Sequence, residues 1–342
     1  MKTDTDFARY VSMFLSDYLP HHRNVSPNTI KSYTEAFVQF ITYMRDDRKT
    51  PVEKLTLDKV NKENVIGFLG WITGKRGCGN ATRNYRLAAI CSFAQYMQYE
   101  DVGRLSNWQQ ILSVKALKTK KRTINYLTVD GIKLLLEQPD TETVKGRRDM
   151  AMLALMYDTA ARVQEIVDLT PGNVRADSKP YTIRLVGKGR KSRIVPLMEE
   201  QVRILKCYMD EHRLHEPEKR MSPLFFNSRK EKLTRAGVGF ILDSYVQKAR
   251  RIHPELIPDK VSCHSLRHSK AMHLLQAGVN LVYIRDILGH TSISTTDVYA
   301  RADSKQKREA LEKAYVDVRP DDKKERIWEK DKNLLEWLQG LK

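Results

Sequence analysis

The amino-acid sequence predicts a mainly α-helical protein of two domains, with a small antiparallel β-sheet in the second domain. The 342 residues are enough for about two domains. Apolar residues recur at helical spacing through most of the chain, and residues 181–197 instead alternate at the period of two that is typical of a hairpin. The hydrophobic fraction of 41% argues against disorder.

The first domain is predicted to be a bundle of about four helices. An opening helix runs from about Phe7 to Leu19, and a second begins at Ser26-Pro27, because a capping hydroxyl followed by proline suits a helix start. A third helix carries the apolar residues Val60, Val65, Leu69 and Ile72. A fourth helix begins at Asn80 and is expected to bury Tyr85, Ala88, Cys91 and Ala94. The polar side of the bundle is expected to carry Lys31, Lys75, Arg76, Arg83 and Arg86.

Residues 114–122 are predicted to be a basic linker, because a block of like charges resists compaction. Its cations are Lys115, Lys118, Lys120, Lys121 and Arg122. The helical domain is therefore expected at 1–113 and the second domain at 123–320. Residues 321–342 carry an apolar stripe that includes Trp328 and Trp337, which predicts a C-terminal amphipathic helix.

The second domain is predicted to be mainly α, with helices at 128–137, 148–157 and 162–169. Residues 181–186 and 192–197 are predicted strands, and the turn at 187–191 gives the hairpin a strongly basic tip. Helices resume near Glu199 and continue almost to the end of the sequence.

The charge balance favours a polyanionic partner. The chain has 60 Lys and Arg against 42 Asp and Glu, a formal net charge of +18, and such cations displace condensed counterions from phosphates. DNA, RNA and an anionic membrane surface satisfy this charge equally well. No apolar run approaches the ~18 residues of a membrane span, no signal-peptide core is present, and the four cysteines form no disulfide or zinc pattern. A cytoplasmic protein is expected.

The residues best suited to catalysis lie between 262 and 301. His264 and Arg267 are three positions apart and share a face of a helix. This pair suits phosphodiester chemistry, because histidine carries protons and arginine binds anions in a bidentate manner. A metal site is the alternative for His264 and His268, but the glutamate of a His-Glu-x-x-His motif is absent. Each residue taken singly also suits a structural role, such as a core position for Tyr299.

Five motifs follow one another along the second domain. They are Thr159–Glu165 with Arg162, Gly187-Lys188-Gly189, His264-Ser265-Leu266-Arg267, Leu288-Gly289-His290 and, nine residues later, Tyr299. In this order they resemble the tyrosine recombinase family, which includes phage integrases and Xer recombinases. Two positions differ from the family pattern: Ala160-Ala161 replaces Gly-Leu, and Lys270 replaces an apolar residue. The resemblance extends to the first domain through Ser26-Pro27 and the residues that follow it.

The resemblance implies a SAM-like, core-binding helical domain and a catalytic domain that together form a clamp around duplex DNA. It implies that Tyr299 attacks the scissile phosphate, leaving a 3′-phosphotyrosyl link and a free 5′-hydroxyl without a metal or cofactor. A phenol of pKa near ~10 is protonated at neutral pH and needs a base, for which His264 is expected. Arg162 and Arg267 are expected to bind the phosphate oxygens.

Three further roles follow from the resemblance. His290 is expected to donate a hydrogen bond to the phosphate, and Glu165 to orient a neighbouring cation. Lys188, rather than Lys191 of the same hairpin, is expected to protonate the leaving 5′-oxygen. Contacts with the DNA backbone are expected from Lys75, Arg76, Arg83, Lys118, Lys120, Lys121, Arg122, Lys191 and Arg193.

The expected activity is site-specific recombination through a Holliday junction, by a dimer on each site and a tetramer in the synaptic complex. The C-terminal helix is expected to dock on the adjacent protomer in preference to its own. Integration, excision or transposition of a mobile element is the favoured role, with resolution of chromosome or plasmid dimers as the alternative. A type IB topoisomerase-like enzyme and a catalytically idle DNA-binding regulator are the competing hypotheses. The sequence does not predict the DNA site.

Overall fold

The computed structural model describes residues 5–119, 124–187, 191–290, 295–296, 298–299 and 339–340. The chain divides into two compact units, Met1–Arg122 and Thr123–Lys342. The prediction of a mainly α protein with one small antiparallel sheet is confirmed. Predicted features that lie outside the described residues are Lys120, Lys121, Arg122, Lys188 and nearly all of the segment 321–342.

The first unit is a bundle of helices packed on an aromatic core. Its helices are α1 (Asp6–Met13), α2 (Pro27–Asp46), α3 (Lys62–Gly74), α4 (Asn80–Glu100) and α5 (Leu105–Leu112), and α1 continues as a π-helical stretch, Phe14–His22. Ser26 caps α2 and Pro27 occupies its first turn, as the sequence predicts. The fully buried rings of Phe14, Phe37, Phe40, Phe68 and Phe93 share one core cluster.

The buried face of α4 differs from the predicted one. Tyr85 is 71% exposed and Ala88 is also exposed, whereas Leu87, Ile90 and Phe93 are buried. The prediction was wrong for Tyr85 and Ala88, because α4 has apolar residues on both sides and spacing alone cannot choose between them, whereas Ala94 is buried as predicted and Cys91 is half-buried. Arg86 is also misassigned to the polar side: it is 8% exposed, with its guanidinium bonded to Gln39, Glu35 and the Ser32 carbonyl.

The start of the predicted linker lies against α4. Asn84 pairs with the backbone of Leu117 in both directions, accepting from its N–H at 3.0 Å and donating to its carbonyl at 2.7 Å. Asn80 donates to the carbonyl of Lys118 at 2.9 Å. These side chains satisfy backbone groups that an extended segment would otherwise leave to water, so residues 117–118 have a fixed course along the first unit.

The second unit surrounds its core with helices and one sheet. The helices are α6 (Val129–Leu136), α7 (Val144–Asp158), α8 (Val163–Val167), α9 (Glu199–Glu211), α10 (Arg235–Ile252), α11 (Cys263–Gln276) and α12 (Leu281–Leu288). Strands β1 (Val174–Arg175), β2 (Thr182–Val186) and β3 (Ser192–Pro196) form an antiparallel sheet in the order β1-β2-β3. Helix α7 begins four residues before its predicted start, because Thr143 caps it by accepting from the N–H of Gly146.

The hairpin of β2 and β3 lies where the alternating sequence predicts it. Val186 pairs with Ser192, and the Gly187 N–H donates to the Lys191 carbonyl at 2.8 Å. The inward residues Ile183, Leu185 and Val195 are buried in the core. Among the described residues, none of the helices is both long and apolar enough to span a membrane.

Candidate active site

Helix α11 carries the His-x-x-Arg motif and buries its arginine. Ser262 and Ser265 form a capping box at the start of the helix. Arg267 is 3% exposed, and its guanidinium donates to the carbonyls of Ala160, at 2.7 Å, and Leu288, at 2.6 Å. Burial, followed by the charges of Arg162 and Arg193, lowers the pKa of Arg267 to about 10, so the side chain stays cationic at neutral pH. Arg267 therefore links the segment after α7 to the end of α12, and it places a positive charge in the site.

The residue that departs from the family pattern before the first arginine has an unusual backbone conformation. Ala160 has a φ of +49°, in the left-handed region that glycine adopts with least strain. This conformation directs the Ala160 carbonyl at the Arg267 guanidinium. The Ala160 methyl group is buried in the same apolar cluster as Tyr299, together with Leu275, Ile284 and Leu288. The alanine thus adds buried surface at a position whose backbone favours glycine.

Glu165 joins two arginines from distant parts of the chain. Its Oε1 atom accepts from Arg162 at 2.8 Å and from Arg193 at 2.7 Å, and its Oε2 atom accepts from Arg193 and from the Arg162 backbone N–H, both at 2.7 Å. Arg193 also donates to the carbonyl of Ile287 at 2.7 Å. The carboxylate therefore fixes the Arg162 side chain and ties strand β3 to helix α8.

The charge of Glu165 depends on these partners. Glu165 is 2% exposed, and burial alone would raise its pKa. The hydrogen bonds and charge of Arg193, with the bonds from Arg162, outweigh burial and lower the pKa to about 2. Glu165 is therefore ionised at neutral pH, and Arg162, whose side chain is 34% exposed, keeps donors directed at solvent.

The turn after α12 places His290 beside Arg162. Gly289 ends α12 with a φ of +61°, the left-handed cap that glycine provides, and its carbonyl accepts from Arg162 at 3.3 Å. His290 Nδ1 lies 3.0 Å from the hydroxyl of the buried Thr296. Burial, then the charges of Arg267, Arg162 and Arg193, lower the pKa of His290 to about 4. Its imidazole is neutral at pH 7 and can donate through Nε2.

Gly289→Ala is expected to destabilise the second unit by about 1–2 kcal/mol, the approximate cost of a left-handed L-residue. A Cβ atom at Gly289 would also lie 3.0 Å from Cδ of Arg193, so the arginine would have to shift. The measurement is thermal unfolding, in which the transitions of the first and second units are fitted separately and the stability of the second unit is compared with the wild type. The matched control is Gly239→Ala inside α10, where a Cβ atom would meet nothing within 4 Å and alanine is expected to stabilise the helix. Equal shifts for the two variants would contradict this account.

The predicted nucleophile is buried and hydrogen-bonded to a histidine. Tyr299 is 2% exposed, and its hydroxyl lies 2.9 Å from Nδ1 of His268. Burial raises the pKa of Tyr299, and the charges of Arg267 and Arg162 act in the opposite direction, so both arginines lie close enough to stabilise a phenolate. Burial, with Arg267 and Arg162, lowers the pKa of His264. Helix α11 therefore brings His268 and the charge of Arg267 to the tyrosine, with His264 beside His268.

A cavity of about 700 Å³ opens beside Arg162 and His290. Its lining includes Arg162, Lys191, His290 and Thr295. Arg162 and Lys191 are cationic and His290 can donate a hydrogen bond from its imidazole, which suits a phosphodiester, although the carboxylate of Asp286 also lines the cavity. In the described part of the chain, no group of three or more His, Cys, Asp or Glu side chains is arranged to hold a metal ion.

The cations predicted to contact DNA have varied surroundings. Lys75 forms an ion pair with Asp47, and Arg76 lies over the Trp71 ring at 5.5 Å. Arg83 donates a hydrogen bond to its neighbour Asn84. Lys118 has an exposed side chain, and its backbone carbonyl accepts from Asn80. In the second unit Lys191 is exposed on the cavity rim, whereas the Arg193 side chain is 11% exposed and engaged by Glu165. Arg193 is thus a structural partner of Glu165 in this structure.

Two site residues were not found from the sequence. His268 was considered only as a metal ligand, and Arg193 only as a phosphate contact. His268 is 31 positions from Tyr299, and Arg193 is 28 from Glu165, so local spacing carried no signal of either contact. Lys270, the other departure from the family pattern, pairs with Asp158 at 3.1 Å and lies over the Tyr157 ring.

Comparison with protein-family models gives two matches along this chain. Residues 125–306 match the model of the phage integrase family, and residues 14–101 match its N-terminal SAM-like domain. The first match spans Arg162, Lys188, His264, Arg267, His290 and Tyr299.

Sequence relatives and solved structures agree with these matches. A putative integrase/recombinase, y4rC, of Sinorhizobium fredii is 31% identical over the whole of both chains, and the tyrosine recombinase XerD of Listeria innocua is 32% identical over 82% of this chain and 90% of its own. In fold, the chain resembles the XerH recombinase bound to difH DNA, with a TM-score of 0.68 at 22% identity over 84% of this chain and 80% of that one. For the Tn1549 transposon integrase bound to transposon-end DNA, the TM-score is 0.66 at 17% identity, over 89% of this chain and 98% of that one. This chain belongs to the phage integrase family and is a tyrosine recombinase.

Proposed function

We propose that this protein is a site-specific DNA recombinase that cuts and rejoins DNA through a 3′-phosphotyrosyl intermediate on Tyr299. The observation that carries the proposal is that Arg162 and His290 line one cavity, while the buried Arg267 and Tyr299 lie behind it, where the charges of Arg267 and Arg162 favour the Tyr299 phenolate. The phenol is the nucleophile of this group, and the surrounding cations suit the charge that develops when a phosphodiester is attacked.

The proposed division of labour follows from the hydrogen bonds. Arg162 binds a non-bridging oxygen of the phosphate, because Glu165 holds its side chain while other donors remain free to face the cavity. The buried Arg267 contributes positive charge to the site. In this proposal the Thr296 hydroxyl donates to Nδ1 of His290, which leaves the imidazole proton on Nε2 to donate to the phosphate. Lys188, which lies between β2 and β3 in the sequence, protonates the leaving 5′-oxygen, and the covalent intermediate keeps the bond energy for religation. No metal or cofactor enters this reaction.

The proposed partner is duplex DNA at specific sites in a prokaryotic cytoplasm. The net charge of +18 and the exposed cations Lys118 and Lys191 support backbone binding, and structural relatives of this chain were solved with DNA. We expect a dimer on each site, a tetramer in synapsis, and a C-terminal helix exchanged between protomers through a Holliday-junction stage.

The proposed role is integration, excision or transposition of a mobile element. The 31% sequence identity to a putative integrase/recombinase, which extends over the full length of both chains, supports this role. Dimer resolution is the second candidate, because XerD of Listeria innocua covers 82% of this chain at 32% identity.

The test recovers DNA that stays bound to the full-length protein in its host after denaturation, and maps it. Sites at the two ends of one DNA segment support the mobile-element role, whereas a single chromosomal or plasmid site supports dimer resolution. Two mapped sites placed on one supercoiled plasmid should then yield deletion or inversion products. Relaxation without such products would contradict recombination and favour a topoisomerase-like enzyme, and absence of any bound DNA would favour a regulator.

A further inference from the structure

The hydroxyl of the nucleophile lies within hydrogen-bond distance of a histidine that the motif does not single out. Among the described residues, the side-chain hydrogen-bond partner of the Tyr299 hydroxyl is Nδ1 of His268, at 2.9 Å. His264 is the base expected from the motif, but its ring contacts His268, with centroids 6.1 Å apart, and it makes no hydrogen bond to Tyr299 within the described part of the chain. We propose that His268 receives the phenolic proton of Tyr299 when the tyrosine attacks the scissile phosphate. This inference rests on the proposed function.

The geometry meets the first requirement for a general base. A base must lie within about 2.6–3.2 Å of the atom that it deprotonates, and Nδ1 of His268 does so. His268 directly follows Arg267 on α11, so one turn of helix carries both the base and a cation that stabilises the phenolate. Because Tyr299 is 2% exposed, water does not compete for this hydroxyl.

The surroundings of His268 keep its imidazole neutral and able to accept. Burial, then the charges of His264 and Arg267, lower its pKa to about 4. The other titratable groups nearby are Tyr299 and, beyond α12, His290. Tyr157 and Asp158 of α7 face the adjoining turns of α11, where they bond His273 and Lys270.

A bound phosphate changes this balance in favour of proton transfer. Its negative charge offsets the positive charge of Arg267, one of the groups that depress the basicity of His268. His268 is therefore a weak base at rest and a stronger one when the scissile phosphate is in place.

The proposed step is balanced in atoms and charge. The Tyr299 oxygen forms a bond to phosphorus as its proton moves to Nδ1 of His268, and the bond from phosphorus to the 5′-oxygen breaks. The 5′-oxygen takes a proton from the general acid, for which Lys188 is proposed. In religation the 5′-hydroxyl gives its proton back to Lys188 as its oxygen attacks phosphorus, and the imidazolium of His268 returns its proton to the departing Tyr299 oxygen, so the enzyme is regenerated.

The test uses the full-length protein and a nicked suicide duplex built from the mapped site. His268→Asn is the decisive variant, because asparagine can accept a hydrogen bond near the position of Nδ1 but cannot hold the proton. We expect its cleavage rate to fall about 100-fold or more. The wild-type rate is expected to fall at acidic pH as His268 becomes protonated, and this inflection should disappear in the variant. His264→Asn should keep the inflection, and His273→Asn, on the same helix but bonded to Tyr157, should cleave at the wild-type rate.

A second substrate separates activation of the tyrosine from protonation of the leaving group. It carries sulfur in place of the 5′-bridging oxygen, and the thiolate leaves without a proton. The His268→Asn defect should persist on this substrate, whereas a Lys188→Ala defect should be relieved. Three results would overturn this inference without affecting the proposed function. They are cleavage by His268→Asn at the wild-type rate, an acidic inflection that remains in His268→Asn, and relief of the His268→Asn defect by the sulfur substrate. Failure of the wild-type protein to form any adduct would overturn the proposed function as well.

Discussion

Arg193→Ala is expected to lower the free energy of unfolding of the second unit by about 3 kcal/mol at pH 7. The reason is that Glu165, 2% exposed, would lose two of its four hydrogen bonds while remaining charged. The arginine also ties β3 to the Ile287 carbonyl, so the hairpin is expected to loosen and DNA cleavage to fall. Denaturant unfolding measures the stability. Lys191→Ala, an exposed cation of the same hairpin, is the control and should stay within about 0.5 kcal/mol of the wild type.

The same ion pair predicts a pH dependence with a definite sign. The pKa of Glu165 is about 2 in the folded protein, against its usual 4.5, so its contribution to stability is fully present above about pH 4.5. That contribution is lost as the pH falls from about 4.5 to 2. The stability difference between wild type and Arg193→Ala should therefore shrink over this range. A difference that is absent at pH 7, or that grows on acidification, would contradict the assigned pairing.

Arg267→Ala is expected to reduce DNA cleavage by about 10³-fold and also to destabilise the second unit. Loss of the guanidinium removes a cation that favours the Tyr299 phenolate, and removal of one such group from a transition state costs about 10²–10³ in rate. The carbonyls of Ala160 and Leu288 would also lose their charged donor.

Arg267→Lys separates the two effects. Lysine keeps the charge but cannot bridge two carbonyls as the planar guanidinium does, so partial activity and incomplete stability are expected. Single-turnover cleavage and thermal unfolding are the measurements. Arg184→Ala, an exposed arginine on β2, controls for the loss of a positive charge. Full activity in Arg267→Ala would exclude the proposed role of this side chain.

The elements of the fold could be predicted where the sequence carries local signals. Ser26-Pro27 and the hairpin at 181–197 were found by capping and alternation, and the structure has both. The buried side of α4 could not be predicted, because Tyr85 and Leu87 are both apolar and only tertiary packing chooses between them. Arg86 illustrates the same limit, since a buried arginine is stabilised by partners about fifty positions away, such as Gln39.

The members of the site could be predicted better than their partners. Motif order singled out Arg162, Arg267 and His290, and in the structure the charges of both arginines act on Tyr299 and on His290. Their hydrogen bonds depend on contacts between separate segments, such as that between His268 and Tyr299, which spacing cannot reveal. For Glu165 the sequence predicted a pairing with a neighbouring cation, but not that two arginines share it.

The covalent adduct tests the central claim most directly. The wild-type protein is incubated in EDTA with a suicide duplex of the mapped site, denatured and digested, and the peptides are analysed by mass spectrometry. The account predicts a nucleotide joined through a 3′-phosphate to the Tyr299 peptide, and no adduct with Tyr299→Phe. An adduct on another residue, an equal yield from Tyr299→Phe, or no adduct on DNA that the wild-type protein binds would contradict it.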